Sequence, residues 1–567
     1  MIKYICKTDK IQLKTSSCPL CKKRAEMSSD LYWCSECNIP LYKDKCSICG
    51  ENGRRIATDI RPVFPQERLL LELLLKVKPM AYVKNSVWKT SAGYIIDGKI
   101  KRLPESVYAN ADIQDIGEKL KKYELENDSE YFEEYIQRFI RANRERYNEI
   151  SNEAIDYIEG IARQYSLKQM FVSFSGGKDS TVVSSLVMRA LGPEILHLYG
   201  DTTLEFPETY EYVGRFKGSH PKTLILSSRN KDKDFSELCT VLGPPSRLMR
   251  WCCTVFKTGA IARKIESLFK NEKEILTFYG IRRSESVSRS KYDRESDSPK
   301  ITIQKTVSPI IDWMDFDVWL YILTTGVDFN YAYRLGYARV GCWCCPNNSV
   351  WSEFLSKIYM PEQYKKFRSI LLNFAKEVGK EDAEVYVNQG NWKRRQGGNG
   401  VGYAQKSVIS FAPCATEENS FNYELQRPIG EELYELFKPF GYLNFEIGNQ
   451  RLGEVYVLDR KGNMILRLQG RMGSSALKVT IINKKLLGSK SLRAAEEKVK
   501  CQITKYQMCM SCRACESVCK HHAIKIQDKE GGRVSYRISD ELCVRCKECV
   551  NHFEGGCYLR KVLCIKR

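Results

Sequence analysis

Met170-Phe-Val-Ser-Phe-Ser-Gly-Gly-Lys-Asp-Ser180 decides the fold. The apolar run Met170–Phe174 reads as a buried strand, and Thr181–Leu191 behind it reads as a helix. Between them, Gly176 and Gly177 let backbone N–H groups turn toward a ligand, and the helix N-terminus favours an anion there. Ser175 and Ser180 add hydroxyls, and Lys178 adds a positive charge. The stretch is not a Walker A loop, which needs a further glycine upstream where this chain has an apolar strand. The same rhythm continues downstream: Ile195–Tyr199, Thr223–Leu226 and Ile275–Tyr279 read as strands with helical segments between them. Alternation of this kind predicts an α/β fold with a doubly wound parallel sheet. Such sheets bind ligands beyond the carboxyl ends of their strands, where Asp201 closes the second one.

The rest of the 567 residues sets the context. Lys and Arg exceed Asp and Glu by 90 to 69, a net charge of +21, which suggests a nucleic acid or another polyanion as partner. There are 24 cysteines and only 5 histidines, so metal sites must be mostly thiolate, which favours zinc or iron–sulfur clusters. The opening Met1-Ile-Lys-Tyr-Ile-Cys-Lys7 has no apolar leader, and the run Leu69–Leu75 is interrupted by Glu72 and too short for a bilayer. A cytoplasmic protein without membrane contact is expected, its clustered thiols on metal rather than in disulfides.

Six segments are expected. Residues 1–55 are Cys-rich. Residues 56–110 are β-rich, with strands at Met80–Val83, Gly93–Ile96 and Ile100–Leu103 and a turn at Asp97-Gly98. Residues 111–168 form a helical connector whose Phe132, Tyr135, Ile136, Phe139 and Ile140 face the core. The α/β unit spans 169–348, a mixed α/β connector 349–500, and a second Cys-rich module 501–567.

The α/β unit resembles a known family. Ser173-Phe-Ser-Gly-Gly-Lys-Asp-Ser180 looks like a PP-loop. It is followed, in the family's order, by Asp201-Thr-Thr-Leu-Glu-Phe-Pro-Glu-Thr209, Arg250-Trp-Cys-Cys253 with Lys257, and Gly280-Ile-Arg-Arg-Ser-Glu-Ser286. Pro309-Ile-Ile-Asp-Trp313 and Asp317-Val-Trp319 complete the series. Together these resemble the phosphoadenosine phosphosulfate (PAPS) reductase family of PP-loop adenine-nucleotide alpha hydrolases. The resemblance implies that Ser173, Ser175, Gly176, Gly177, Lys178, Asp179 and Ser180 hold the phosphates of ATP, with magnesium assisting through Asp179. Asp201, Thr202 and Gly280 would border the nucleotide. Arg282 and Arg283 present guanidinium forks suited to phosphate or sulfate oxygens. Asp312, Trp313 and Trp319 are expected to be structural. Sulfonucleotide reductases typically lack the full Gly-Gly-Lys-Asp-Ser loop, so its presence here favours ATP cleaved between the α and β phosphates.

The cysteines carry three further expectations. Cys252-Cys253 with Cys342-Trp-Cys344-Cys345 resembles the cubane site of adenosine phosphosulfate (APS) reductases and DNA phosphorothioation enzymes. By that likeness Cys252, Cys253, Cys342 and Cys345 are ligands of a [4Fe-4S] cluster, leaving Cys344 to ligate in place of a neighbour or to serve as a reactive thiol. Cys509-x2-Cys512-x2-Cys515-x3-Cys519, then Cys543-x2-Cys546-x2-Cys549 and Cys557, resembles a two-cubane ferredoxin. Its pattern assigns Cys519 to the Cys543, Cys546 and Cys549 cluster and Cys557 to the Cys509, Cys512 and Cys515 cluster. Lys520 stands where the pattern has proline. Cys34-x2-Cys37-x8-Cys46-x2-Cys49 looks like a zinc ribbon, with Cys18 and Cys21 joined to Cys34 and Cys37 as the rival set. The strands after it resemble a PUA-type RNA-binding fold.

These features lead to an expected ATP-dependent sulfur-transfer or redox enzyme. Lys178, Asp179, Arg282, Arg283 and Cys344 would be its catalytic residues, a nucleic acid such as tRNA its substrate, and the ferredoxin module its electron route from a donor protein. Two other readings remain open. One is a sulfonucleotide reductase forming sulfite, with Cys557 or Cys564 as nucleophile. The other is a redox-sensing nucleic-acid-binding protein without catalysis.

Overall fold

The computed structural model describes residues 3–5, 12–13, 19–20, 26–28, 30–123, 129–286, 289–298, 301, 303–395, 410–509, 511–529 and 533–551. At its centre is a six-stranded sheet of β1 (Met170–Phe174), β2 (Leu196–Asp201), β3 (Ile225–Arg229), β4 (Ile275–Phe278), β5 (Glu295–Asp297) and β6 (Gln304–Val307), in the order β3-β2-β1-β4-β6-β5. All neighbours are parallel except β5, which runs antiparallel to β6 at one edge. Helices α1 (Lys178–Leu191), α2 (Pro207–Ser219), α3 (Phe235–Leu242), α4 (Gly259–Leu268) and α5 (Asp315–Thr325) belong to this unit.

Alternation along β1 explains why both faces are covered. Met170 and Val172 join Val183, Leu186 and Val187 of α1 in one core. Phe171 turns the other way and joins Ala262 and Ile265 of α4. The doubly wound parallel sheet is therefore as the sequence predicts, with strand ends shifted by up to three residues.

The N-terminal part packs onto this unit. Leu31–Cys34, Ile39–Leu41 and Arg54–Ala57 form a three-stranded sheet whose Leu31, Trp33, Ile39 and Leu41 share a core with helices Glu130–Ala142 and Arg144–Ala162. Asn143 ties the two together, accepting the Tyr42 N–H at 2.8 Å and donating to the Pro40 carbonyl at 3.0 Å. The five core positions expected on Glu130–Ala142 are all buried. Arg146 reaches into the sheet unit and holds Asp317 through two bonds of 2.9 and 3.1 Å.

The small sheet that follows has one strand misplaced in the sequence reading. Met80–Val83 is a turn, with Met80 at φ +70°. The buried Glu72 carboxylate shapes it by accepting the N–H groups of Met80 and Tyr82, both at 2.7 Å. The apolar run before it lies in a helix, Pro65–Leu74, and the missed strand is Val87–Thr90. The hairpin Gly93–Ile96/Lys99–Lys101 turns at Asp97 and Gly98, both at positive φ.

Beyond the sheet unit, helices Val350–Tyr359 and Pro361–Glu377 lead to a six-stranded antiparallel sheet built from Ser410–Pro413 to Ala476–Ile481. Helix Leu492–Met508 follows. Its Val499, Ile503 and Tyr506 share one core with Ile524, Ile526, Tyr536 and Ile538 of the C-terminal Cys-rich module. Among the described residues no helix is long and apolar enough to cross a membrane.

Candidate active site

The turn after β1 is closed by its own hydroxyls. Ser180 Oγ accepts the Ser175 N–H at 3.2 Å and donates to the Gly177 carbonyl at 2.8 Å, while Ser175 Oγ lies 3.1 Å from Ser180 Oγ. Gly176 sits at φ +71°, and a Cβ there would meet Thr209 Cγ2 at 2.9 Å. Gly280 presses on the start of α1, where a Cβ would lie 2.7 Å from the Asp179 carbonyl carbon. Ser173 turns toward Tyr279, to which it is hydrogen-bonded. The serines and glycines of the motif thus set the shape of the turn, and its charged side chains face the site.

Those charges form a buried network. Lys178 Nζ stands 3.1 Å from Asp179 and 3.3 Å from Asp315. Arg282 completes the square, with Nε 2.5 Å from Asp179 and Nη2 2.7 Å from Asp315. Burial alone would lower the Lys178 ammonium, but the two carboxylates outweigh it and push it up to about 12. Burial opposes ionisation of Asp315 as well, yet Lys178 and Arg282 hold it well below the usual carboxylate range. Two cations fixed at the carboxyl edge of a parallel sheet suit a phosphate chain. Asp315 was not singled out from the sequence, although it lies between two of the motifs quoted above. Both Asp179 oxygens face cations, so a magnesium ion does not fit on Asp179 as it stands.

The remaining expected residues separate. Arg283 points away from the network, pairing with Asp312 and donating from Nε to the Tyr292 carbonyl at 3.0 Å. Trp313 and Trp319 are buried in the core. Asp201 Oδ1 accepts the Thr203 N–H at 2.9 Å and the Tyr210 hydroxyl at 3.2 Å, which organises the loop after β2. Thr202 donates to Glu205 at 2.8 Å and lies 3.6 Å from Cys342 Sγ, so it faces sulfur.

That contact brings the central cysteines to the same edge of the sheet. The segment Cys342–Cys345 docks on the loop after β2 through a bridge between Glu205 and Cys342 and a 2.9 Å bond from the Trp343 N–H to the Leu204 carbonyl. Cys252 and Cys253 open a π-helical turn, Cys253–Thr258, that leads into α4. Cys252, Cys342 and Cys344 share one buried core, and Cys345 feels the charge of Cys253. Burial and mutual proximity push the Cys342 and Cys344 thiols well above their ordinary value, and contact with Cys253 does the same to Cys252. Cys252, Cys253, Cys342 and Cys345 thus share one sulfur-rich neighbourhood whose burial and mutual proximity oppose ionisation of Cys252, Cys342 and Cys345, a cost that a bound cationic group would relieve. Cys344 is only 2 % exposed, and burial with the neighbouring cysteines pushes its thiol well above the ordinary value. A sixth thiol, Cys239 of α3, lies in the same core beside Cys344 and carried no spacing signal in the sequence.

The C-terminal module repeats one loop twice. Ser511 and Arg513 adopt positive φ between Cys509 and Cys515, and Arg545 and Lys547 do so at the equivalent places between Cys543 and Cys549. Left-handed residues at these positions turn successive N–H groups inward, as a negatively charged cluster requires. Cys519, Cys543, Cys546 and Cys549 line one small cavity, the grouping that the ferredoxin pattern assigns. Cys557 lies outside the described residues.

The first of these loops packs into the core that holds the central sulfurs. Cys512 and Ala514 belong to the same apolar core as Cys252, Cys342 and Cys344. The short helix Ala514–Val518 rests on the π-helical turn and on α4, fastened by an Arg513–Asp232 ion pair and by His522 3.5 Å from Glu266.

At the other end of the chain, Cys34, Cys37, Cys46 and Cys49 bring their sulfurs within 4.8 Å of one another. This closed tetrahedral-type set fits zinc with no open position. Burial pushes the Cys34 thiol up to about 11, a cost that a divalent cation would remove. Cys18 and Cys21, the rival pair, lie outside the described residues.

Comparison with known proteins finds matches for two parts of the chain. Residues 169–348 match the phosphoadenosine phosphosulfate reductase domain, and residues 508–552 match the 4Fe-4S dicluster domain. An uncharacterised protein of Methanocaldococcus jannaschii is 30 % identical over 261 residues, covering 46 % of this chain and 53 % of that protein. The chain therefore spans about half the length of that relative. An adenosine 5'-phosphosulfate reductase of Shouchella clausii is 23 % identical over 201 residues, covering 34 % of this chain and 78 % of the enzyme. A phosphoadenylyl-sulfate (PAPS) reductase of Candida auris, solved as a phosphate complex, aligns with a TM-score of 0.26 at 16 % identity, covering 33 % of this chain and 94 % of that one. The chain carries a PAPS reductase domain, a 4Fe-4S dicluster domain and an N-terminal cysteine set that could bind zinc.

Proposed function

We propose that the protein uses ATP to adenylate an acceptor on a nucleic acid, tRNA being favoured over DNA, and then replaces the activated oxygen with sulfur. The observation that carries this reading is the placement of Lys178 and Arg282 at the edge of the sheet where the central sulfurs also dock. MgATP enters as the substrate. An acceptor oxygen attacks the α phosphorus, the bond to the β phosphate breaks, and pyrophosphate leaves. Lys178 and Arg282 counter the charge that collects on the phosphate oxygens. A persulfide on Cys344, charged by transfer of a sulfane sulfur from a persulfide-bearing donor, then attacks the activated carbon with its terminal sulfur, and AMP departs with the C–O electron pair. The product–cysteine disulfide that remains takes two electrons and two protons to release the thiolated product and restore the cysteine. Iron–sulfur clusters on the cysteines named above would supply single electrons drawn from a donor protein. The chain's charge of +21, together with the ribbon and the small sheet after it, supports a nucleic-acid substrate.

ATP–pyrophosphate exchange that depends on added RNA tests the proposal. Exchange with tRNA supports it, and none with any tRNA or DNA counts against it. A second reading, reduction of a sulfonucleotide to sulfite, is favoured by the likeness to the APS reductase. Sulfite formed from APS without ATP would establish that reading in place of the first.

A further inference from the structure

Asp59 lies far from every motif in the sequence, in the segment that joins the cysteine ribbon to the small sheet. It nevertheless reaches the charged network of the sheet unit. Its Oδ2 accepts the N–H of Asp315 and its Oδ1 accepts the N–H of Phe316, each at 3.0 Å. These are the first two N–H groups of α5, which the helix itself cannot satisfy. Asp59 therefore caps α5 from another part of the chain, some 256 residues away in sequence. The capped residue is Asp315, which holds Lys178 at 3.3 Å and Arg282 at 2.7 Å.

The same side chain looks outward. Asp59 lines a cavity of about 360 Å³ with Arg55, Thr58, Thr90 and Ser91, between the edge strand of the ribbon and the turn of the small sheet. A carboxylate here is costly, because burial and the nearby Asp315 charge push Asp59 up to about 7. A helix cap alone would be served by Ser, Thr or Asn at α5 itself, where Met314 stands instead. The cap has been moved to the N-terminal module.

We infer that Asp59 is a positioning residue for the nucleotide site: by capping α5 it fixes Asp315, and through Asp315 it sets Lys178 and Arg282 for the phosphate chain. The N-terminal module thereby completes the site, so the placement of the ribbon is read out at the phosphate-binding cations. This rests on the proposal that Lys178 and Arg282 bind a nucleotide.

The inference separates from a purely electrostatic effect of Asp59. If the residue acted only as a negative charge near an anion site, removing the charge by any substitution would tighten nucleotide binding. If it acts by position, keeping the acceptor matters and the charge does not. Titration of ATP into the full chain, Asp59→Ala and Asp59→Asn by calorimetry distinguishes the two. Asp59→Asn keeps a side-chain acceptor and should stay within about threefold of the parent, while Asp59→Ala should bind about tenfold more weakly. Tighter binding by both variants, or an unchanged Asp59→Ala, overturns the inference. Should Asp59→Ala fail to fold, Asp59→Ser, which keeps a shorter acceptor, takes its place and should fall between parent and tenfold loss. A double-mutant cycle with Asp315→Ala adds a readout that a merely structural role would not move: loss of Asp59 should cost little further affinity once Asp315 is gone, and full additivity overturns the route through Asp315. Failure of the parent chain to bind ATP, APS or PAPS would remove the nucleotide site itself and the inference with it. Binding by the parent with no effect of Asp59 would remove the inference alone.

Discussion

The Tyr333 hydroxyl accepts the backbone N–H of Lys178 at 2.9 Å, so the first amide of α1 is already engaged. Tyr333 is held there by its place in the core beside Trp319 and Phe329, and Asn330 braces the same turn by donating to the Gly176 carbonyl at 3.2 Å. A phosphate that takes the Lys178 amide must displace this hydroxyl. Tyr333→Phe removes the competitor and keeps the ring. ATP should then bind a few-fold more tightly, on the order of 1 kcal/mol, while stability falls by a similar amount. Calorimetric titration and a urea melt measure both. Weaker binding would mean that the hydroxyl itself contacts the nucleotide.

Arg282 and Arg283 are adjacent in sequence and opposite in role. Arg282 is buried among Asp179 and Asp315, whereas Arg283 serves Asp312 at the margin. Arg282→Ala leaves two buried carboxylates sharing one ammonium and should cost about 3–5 kcal/mol, with loss of nucleotide binding. Arg283→Ala should cost about 1 kcal/mol and leave binding intact. Equal losses from the two variants would contradict the division.

Much of this site was legible because it is local. Strand, glycine turn and helix start lie within Met170–Ser180, and cysteine spacing carries its own geometry. What was hidden is what crosses the chain. Asp315 and Tyr333 meet Lys178, and Asp59 meets Asp315, only after folding, and each is an ordinary residue in its own neighbourhood. Met80–Val83 reads as a strand by composition and is a turn because the buried Glu72 captures its amides. The sheet of residues 410–481 was obscured for another reason. Its strands are half-buried, as in Glu454–Leu458 with alternate residues inward, and short connections with glycine and charge break the pattern between them.

Glu67 makes the acid side of stability predictable. Its carboxylate is fully buried, receives Arg61 through bonds of 2.7 and 2.8 Å, and also meets Lys89 at 3.2 Å and Tyr94 at 2.9 Å. Burial opposes its ionisation, but Arg61 and Lys89 overcome that and hold it at about 2. A depressed carboxyl stabilises the fold fully above its unfolded value near 4.5 and loses that contribution as pH falls toward about 2, a total of about 3 kcal/mol. Denaturant melts between pH 5 and 2 should show this loss in the parent chain. Glu67→Gln should be less stable at neutral pH and flatter across the same range. Parallel pH profiles for the two proteins would refute the assignment.

The ribbon should hold one zinc ion, and its loss should spread. Cys34, Cys37 and Cys46 belong to the same core as Phe139 and Ile140 of the helix Glu130–Ala142. Cys46→Ser should lower bound zinc from one equivalent toward none, leave iron unchanged, and raise protease sensitivity in the N-terminal module. Metal analysis by mass spectrometry and limited proteolysis check this, and full zinc occupancy in Cys46→Ser would move the site to other thiols.

Gly259 decides how closely the C-terminal module approaches the central sulfurs. A Cβ at this position would lie 2.1 Å from Ser517 Oγ and 2.7 Å from Ser517 Cβ, in the short helix that follows Cys512. The absent side chain is what lets that helix rest against the turn carrying Cys253. Gly259→Val must push the helix and its Cys515 away while removing no cysteine from the chain. Electron transfer falls steeply with separation, so, on the proposal that the central cysteines hold a cluster, the variant should contain the same iron as the parent yet pass electrons slowly from the C-terminal module to that cluster. Stopped-flow reduction with dithionite, followed by freeze-quench electron paramagnetic resonance, resolves the two populations. An unchanged rate of central reduction in Gly259→Val would show that electrons reach the centre by another path.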